Sequence, residues 1–272
     1  MDRRTAAVLA LVVLTALAGC NTGGSGGTPT LTPVPVTEPA ADTVDNVSLP
    51  AGVTSAGLAD SALFWAGTDR ALAETGYVVE VWINGTATGN ASGIDPPAPG
   101  QVHRVARVEP GGAPTSLSAS RRVDSIEREW SQWANDSWAV VRPVRFGGIV
   151  ARPVRAERVT NPAVTEDVRR LVALGDYRAV STRRTEGATR VVLRASDVSP
   201  VRRDGVFRDV TAYRSRLVLD ERGRLRSASV RVATDGGLRY RLSYDLRQVG
   251  NVSVGRPVWA RAAIENARVR GG

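Results

Sequence analysis

The 272-residue sequence predicts a mainly β, α+β fold: a curved antiparallel sheet or half-barrel wrapping two or three helices. Three observations carry that prediction. Beyond residue 76 most of the chain falls into short runs of β-branched, aromatic and alternating apolar residues, separated by Gly, Asn, Asp or Pro. Few segments carry helical signals. The last three strand-like runs are joined by turns short enough for an antiparallel meander. A sheet of about eight to eleven such strands with so few helices buries its apolar face only by curling around them or closing on itself.

The first segment is a leader. Arg3 and Arg4 precede an apolar run from Ala6 to Ala18 that ends in Leu17-Ala18-Gly19-Cys20, the layout of a lipoprotein signal peptide over residues 1–19. The run is too short to cross a hydrocarbon core of ~30 Å as a helix. Cys20 is the single cysteine, which excludes an intramolecular disulfide and a multi-cysteine metal site. Its expected chemistry is lipid attachment, which would anchor an exported protein to the outer face of the cytoplasmic membrane. Residues 20–48 read as a flexible Gly/Thr/Pro tether with a reach of roughly 30 Å. The folded body is expected over residues 49–262, with a C-terminal tail at 263–272.

Within the body, Asp60 or Ser61 can cap a helix running to about Thr75, stopped by Gly76. Tyr77 to Asn84 reads as a strand ended by Asn84-Gly85, and Val102 to Val108 as a second. Thr115 to Ser120, Ile126 to Trp133 and Trp138 to Val144 continue the series, with a turn at Asn135-Asp136. The clearest helical segment opens at Asn161-Pro162 and closes at Gly175, with Val164, Val168, Leu171 and Val172 on one face. Glu166 and Asp167 early and Arg169 and Arg170 late suit its dipole. Strands then resume at Tyr177 to Glu186, Thr189 to Ala195, Val206 to Asp220, Arg224 to Thr234 and Leu238 to Val249. In the last, Leu238, Tyr240, Leu242, Tyr244 and Leu246 alternate with polar residues, so one face is apolar and the other wet.

These features resemble known proteins. The lipobox, the tether, Leu49-Pro50-Ala51-Gly52-Val53, Leu217-Val218-Leu219-Asp220 to Gly223, Tyr240 to Tyr244, Val249-Gly250-Asn251 and Pro257-Val258-Trp259 resemble an uncharacterised family of haloarchaeal surface lipoproteins. That family in turn resembles half-barrel lipoprotein carriers, the lipoprotein-sorting and mycobacterial lipid-binding lipoproteins. The resemblance implies a curved antiparallel sheet around helices, with an apolar cavity. The chain departs from the acidic composition usual in haloarchaeal proteins, with a net charge of +9.

The charge is unevenly placed. From Cys20 to Ser120 there are nine acidic residues and three Arg; from Arg121 to Gly272 there are 31 Arg and 17 acidic residues. Such a split suits a basic face that meets anionic glycan, lipid or protein, or arginines that fill solvent-facing strand positions. Nucleic acid is excluded as a partner by the export signal and by the lack of a recognition motif.

Catalytic signatures are missing. His103 is the single histidine, which rules out two-histidine zinc motifs, and no nucleophile elbow accompanies it. Gly23-Gly24-Ser25-Gly26-Gly27 matches G-x-S-x-G only within the tether, without the strand and helix that motif needs. No catalytic residue, metal site or cofactor is expected, and the protein is expected to be a monomer and not an enzyme. Sequons at Asn46, Asn84, Asn90, Asn135 and Asn251 are candidate glycosylation sites. Trp82, Trp130 and Trp138, with Tyr240 and Tyr244, are candidates to line a groove for a lipid or other apolar ligand. Two readings follow: a lipid-anchored surface protein holding such a ligand in a half-barrel cavity, or an envelope interaction module that works through its Arg-rich face.

Overall fold

The structure, a computed structural model, describes residues 48–87, 100–144, 148–153, 162–185, 188–199 and 209–271. Among the described residues, eleven strands form one open, curved antiparallel sheet, accompanied by three helices. The strands are β3 (Tyr77–Ala87), β4 (Gly100–Val108), β5 (Thr115–Val123), β6 (Ile126–Ala134), β7 (Trp138–Pro143), β8 (Val150–Pro153), β9 (Arg178–Thr185), β10 (Ala188–Ala195), β11 (Val210–Asp220), β12 (Leu225–Thr234) and β13 (Leu238–Val249). Their order is β8-β7-β6-β5-β4-β3-β13-β12-β11-β10-β9, so two meanders are joined by the long-range pairing of β3 with β13. A separate two-stranded ribbon, β1 (Val53–Thr54) and β2 (Gly57–Leu58), precedes the first helix. The expected curved sheet is present, and the last three strands form the expected meander.

Helices α1 (Ser61–Ala73) and α2 (Glu166–Ala173) fill the inner face. α1 begins where Asp60 Oδ1 accepts from the Ala62 and Leu63 amides at 2.9 Å, satisfying donors that the first turn leaves open. It ends before Gly76, whose φ of 67° is the left-handed conformation that stops a helix without a Cβ penalty. α2 is shorter than the periodicity predicts. Thr165 precedes it without capping it through its side chain; its hydroxyl accepts instead from Arg104 Nη1 on β4 at 2.7 Å.

Alternation along the strands sends one set of side chains under these helices. On β3, Tyr77, Val79, Val81 and Ile83 face inward; on β13, Leu238, Tyr240, Leu242, Tyr244 and Leu246 do so. They share one core with Phe64, Trp65 and Leu72 of α1 and Val168, Leu171 and Val172 of α2. Gly175 matters here through packing, not dihedral freedom: a Cβ would meet the rings of Tyr177 and Tyr213 at 2.7 Å and Ala195 at 2.9 Å. Those two tyrosines pin α2 to the sheet. Tyr213 donates to the Leu171 carbonyl at 2.9 Å, and Tyr177 Oη lies 2.6 Å from Ser215 Oγ.

The expected tail at 263–272 is corrected by the structure: residues 263–271 belong to α3 (Val258–Gly271). Ala260 and Ile264, four apart, face the sheet and join a second core with Trp133 and Val140 on its outer face. Arg142 over Trp259, Arg256 over Trp133 and Arg268 over Trp138, at 5.1, 5.1 and 5.9 Å, clamp the helix and its approach to the sheet. The body therefore continues past residue 262.

Candidate functional site

The outer face of β9 to β13 and β3 carries a dense set of exposed charged side chains. Because β3 turns its odd-numbered residues inward, Glu80, Trp82 and Asn84 project outward. Trp82 is 48% exposed. Its indole stacks on His103 of β4, directly opposite in register, with ring centroids 3.7 Å apart and planes 12° from parallel. Glu80 holds both rings: its Oε1 accepts from Trp82 Nε1 at 3.0 Å and lies 2.8 Å from His103 Nε2, while Oε2 accepts from Arg247 Nε at 2.9 Å. Burial pushes the Glu80 carboxyl up, but the bonds from His103, Arg247 and Trp82 outweigh it and hold the carboxyl below its usual value.

Beside this platform lie arginines in two rows. Arg178, Arg194 and Arg216 stand opposite one another across β9, β10 and β11. Arg214, Arg231 and Arg241 do the same across β11, β12 and β13. All six are exposed, and none forms an ion pair with a described carboxylate. Strands lie about 4.8 Å apart, so neighbouring arginine stems in a row start about 5 Å from each other, and like charges held directly opposite destabilise the pairing. The first row continues through Ser229 and Ser243 to Trp82 and His103.

The inner face offers a different picture. Phe64, Leu72, Leu171, Tyr240 and Tyr244 are fully buried there. Burial drives the phenol pKa values of Tyr240 and Tyr244 upward, so both stay neutral. α1 and α2 are linked across this face by Asp69 and Arg169, at 2.6 Å, with the Arg169 guanidinium 5.3 Å over the Trp65 ring. A cleft of about 330 Å³ opens on the flank of α1, between Pro50, Gly67, Arg70 and the Glu221-Arg222 turn.

The residues expected to line one groove are divided between the two faces. Trp130 pairs with Ala119 and packs against the inner core, where Tyr240 and Tyr244 also lie. Trp82 stands on the outer face, and Trp138 packs there against the α3 core. The period-two alternation assigns residues within each strand to two sides, but not which side belongs to which neighbour. Asn84 is corrected from strand end to strand interior, paired with Arg241 and Gln101 on the outer face. Asn135 caps its turn, with Oδ1 accepting from the Ser137 and Trp138 amides at 3.1 and 2.8 Å. Asn251 sits exposed after β13 with a φ of 47°. Cys20, Asn46 and Asn90 lie outside the described residues. Among the described residues no three His, Cys, Asp or Glu side chains cluster to hold a metal ion, and no helix is long and apolar enough to cross a membrane. No single arginine of the two rows is marked in the sequence; the charge split indicates a basic face, and register alone assembles the rows.

Fold and face together define the class: an open, curved antiparallel half-barrel, packed with its own helices inside and densely basic outside. No family model matches the sequence, and no curated protein matches it, so no sequence comparison supports the haloarchaeal resemblance. Among solved structures, the chain is similar to a LolA superfamily protein from Nitrosomonas europaea, at a TM-score of 0.27 and 10% identity over 69% of this chain and 94% of that one. It is also similar to the lipoprotein LppX of Mycobacterium tuberculosis, at 0.30 and 11% over 71% and 100%. A lipoprotein-sorting protein domain from Vibrio parahaemolyticus follows at 0.24 and 7%, over 76% and 99%. Likenesses this distant carry no argument about ligand or partner.

Proposed function

We propose that this is an exported, non-enzymatic binding protein, anchored by lipid on Cys20, whose outer sheet face engages a polyanionic partner of the envelope. The observation that carries the reading is the pair of arginine rows, six exposed guanidinium groups with no described carboxylate to neutralise them. Like charges held directly opposite one another repel, and an intervening polyanion relieves that repulsion as it binds. The lipobox supplies the export and anchoring half of the reading. The alternative, a lipid or other apolar ligand in the half-barrel, places the ligand on the face where α1 and α2 pack against the sheet.

Two triple variants of the full chain test this reading. Arg214, Arg231 and Arg241 changed to Gln should weaken binding to a soluble polyanion and flatten its salt dependence. Arg70, Arg222 and Arg261 changed to Gln remove the same charge elsewhere and should do neither. Equal losses in the two variants would reduce the effect to net charge and overturn the proposal. Native mass spectrometry of protein from its own host should find no lipid retained in the folded body beyond the anchor itself. A second, stoichiometric lipid would favour the cavity reading.

A further inference from the structure

We infer that the outer face carries a discrete subsite for an acidic sugar, a pyranose bearing a carboxylate, in the trough over Ser243 and Ser229 between the Trp82 indole and Arg216. This rests on the polyanion reading and narrows it to one chemistry.

The indole is built as a wall. One face is covered by His103, its N–H is bound to Glu80, and its 48% exposure leaves the other face open toward β13. Directly opposite on β13 stands Ser243, and beyond it on β12 Ser229, both exposed and too small to fill the space above them. Arg216 on β11 closes the row, three strand intervals from Trp82, or about 14 Å between backbones. The indole and the long Arg216 side chain occupy part of that span, leaving a width suited to one hexose ring.

Each boundary matches one part of such a ligand. The electron-rich indole face accepts the C–H edge of a pyranose ring. The two serine hydroxyls offer donors and acceptors to ring hydroxyls. Arg216, with Arg231 and Arg241 in the adjoining row, presents guanidinium forks to a carboxylate. An alkyl chain finds only one open ring here, among charged neighbours. A bilayer of anionic headgroups fits less well than a sugar, because Glu80 and Asp245 stand at the Trp82 end of the face. Both are paired with Arg247, so that cation is not free for a second headgroup phosphate, whereas a sugar hydroxyl there needs none.

Calorimetric titration of the full chain with an oligogalacturonate tests the assignment. Its methyl ester and vesicles containing phosphatidylglycerol serve as comparison probes. The wild type should bind the oligogalacturonate and should bind the ester and the vesicles more weakly. Trp82→Ala and Ser243→Tyr, which remove the wall and fill the trough, should each weaken oligogalacturonate binding about tenfold. Both changes are at exposed positions, and an unchanged far-UV circular dichroism spectrum shows that the fold is kept. Two results would overturn the subsite: unaltered affinity in both variants, or preference for the vesicles over the oligogalacturonate. If affinity falls in the Arg214/Arg231/Arg241 variant but not in these two, the polyanion reading stands and the sugar subsite falls. If no polyanion binds the wild type, both fall.

Discussion

The Trp82 indole lies flat on the His103 imidazole, 3.7 Å away on the neighbouring strand, and one carboxylate, that of Glu80, holds both rings. An exposed tryptophan is thereby fixed in one orientation instead of sampling rotamers over the sheet. That order depends on the charge of Glu80.

Acid should loosen the platform. Burial raises the Glu80 carboxyl, and the bonds from His103, Arg247 and Trp82 overcome this to hold it below its ordinary 4.5. A folded pKa below the unfolded one adds stability that is present above about pH 4.5 and lost as pH falls through the lower folded value. Glu80→Gln should therefore melt below the wild type at neutral pH, and the two curves should converge on acidification. A constant gap down to about pH 2 would contradict this.

Asp69 and Arg169 should prove unequal partners. Both lie about three-quarters buried, and burial raises the Asp69 carboxyl even against the lowering effect of Arg169. Arg169→Met leaves a poorly solvated carboxylate and removes the cation over Trp65; denaturant titration should show a loss of about 1–3 kcal/mol. Asp69→Asn removes the charge that burial already disfavours and should cost less. The reverse order would show that the attraction dominates.

The C-terminal helix should behave as core. Ile264 is 3% exposed between α3 and the outer face. Ile264→Ala should cost about 2–4 kcal/mol in the same titration, as for other buried Ile truncations. A change within about 0.5 kcal/mol is what a solvated tail would give.

Asn84 should carry no glycan although it opens a sequon. It stands between Arg241 and Gln101 in the sheet, next to the arginine rows, where a bulky glycan would cover the proposed binding face. Peptide mapping of protein from its own host should find Asn84 unmodified. Full occupancy at Asn84 would contradict the use assigned to this face.

Much of the fold is legible in the chain because each strand carries its own period. β13 spans Leu238–Val249 as its alternation indicates, and α1 starts at the Asp60 cap and stops at Gly76. Failures occur where local signals are short or shared. β8 is four residues long within an Arg- and Pro-rich stretch, too brief to show alternation. α3 falls where the body's end and a tail are expected, because its apolar face is mostly alanine and the stripe formed by Ala260, Ala263 and Ile264 is faint. The site was less legible than the fold. Tryptophans alike in sequence divide between two faces, and the arginines of one row are as much as 38 residues apart, from Arg178 to Arg216, so only strand order and register unite them.

The most direct test is arginine footprinting with phenylglyoxal, read by peptide mass spectrometry with and without a saturating polyanion. Protection confined to Arg178, Arg194, Arg214, Arg216, Arg231 and Arg241, with Arg70, Arg222 and Arg261 still reactive, is the expected result. Protection spread evenly over all nine, or absent from the six, would contradict a binding face on the outside of the sheet.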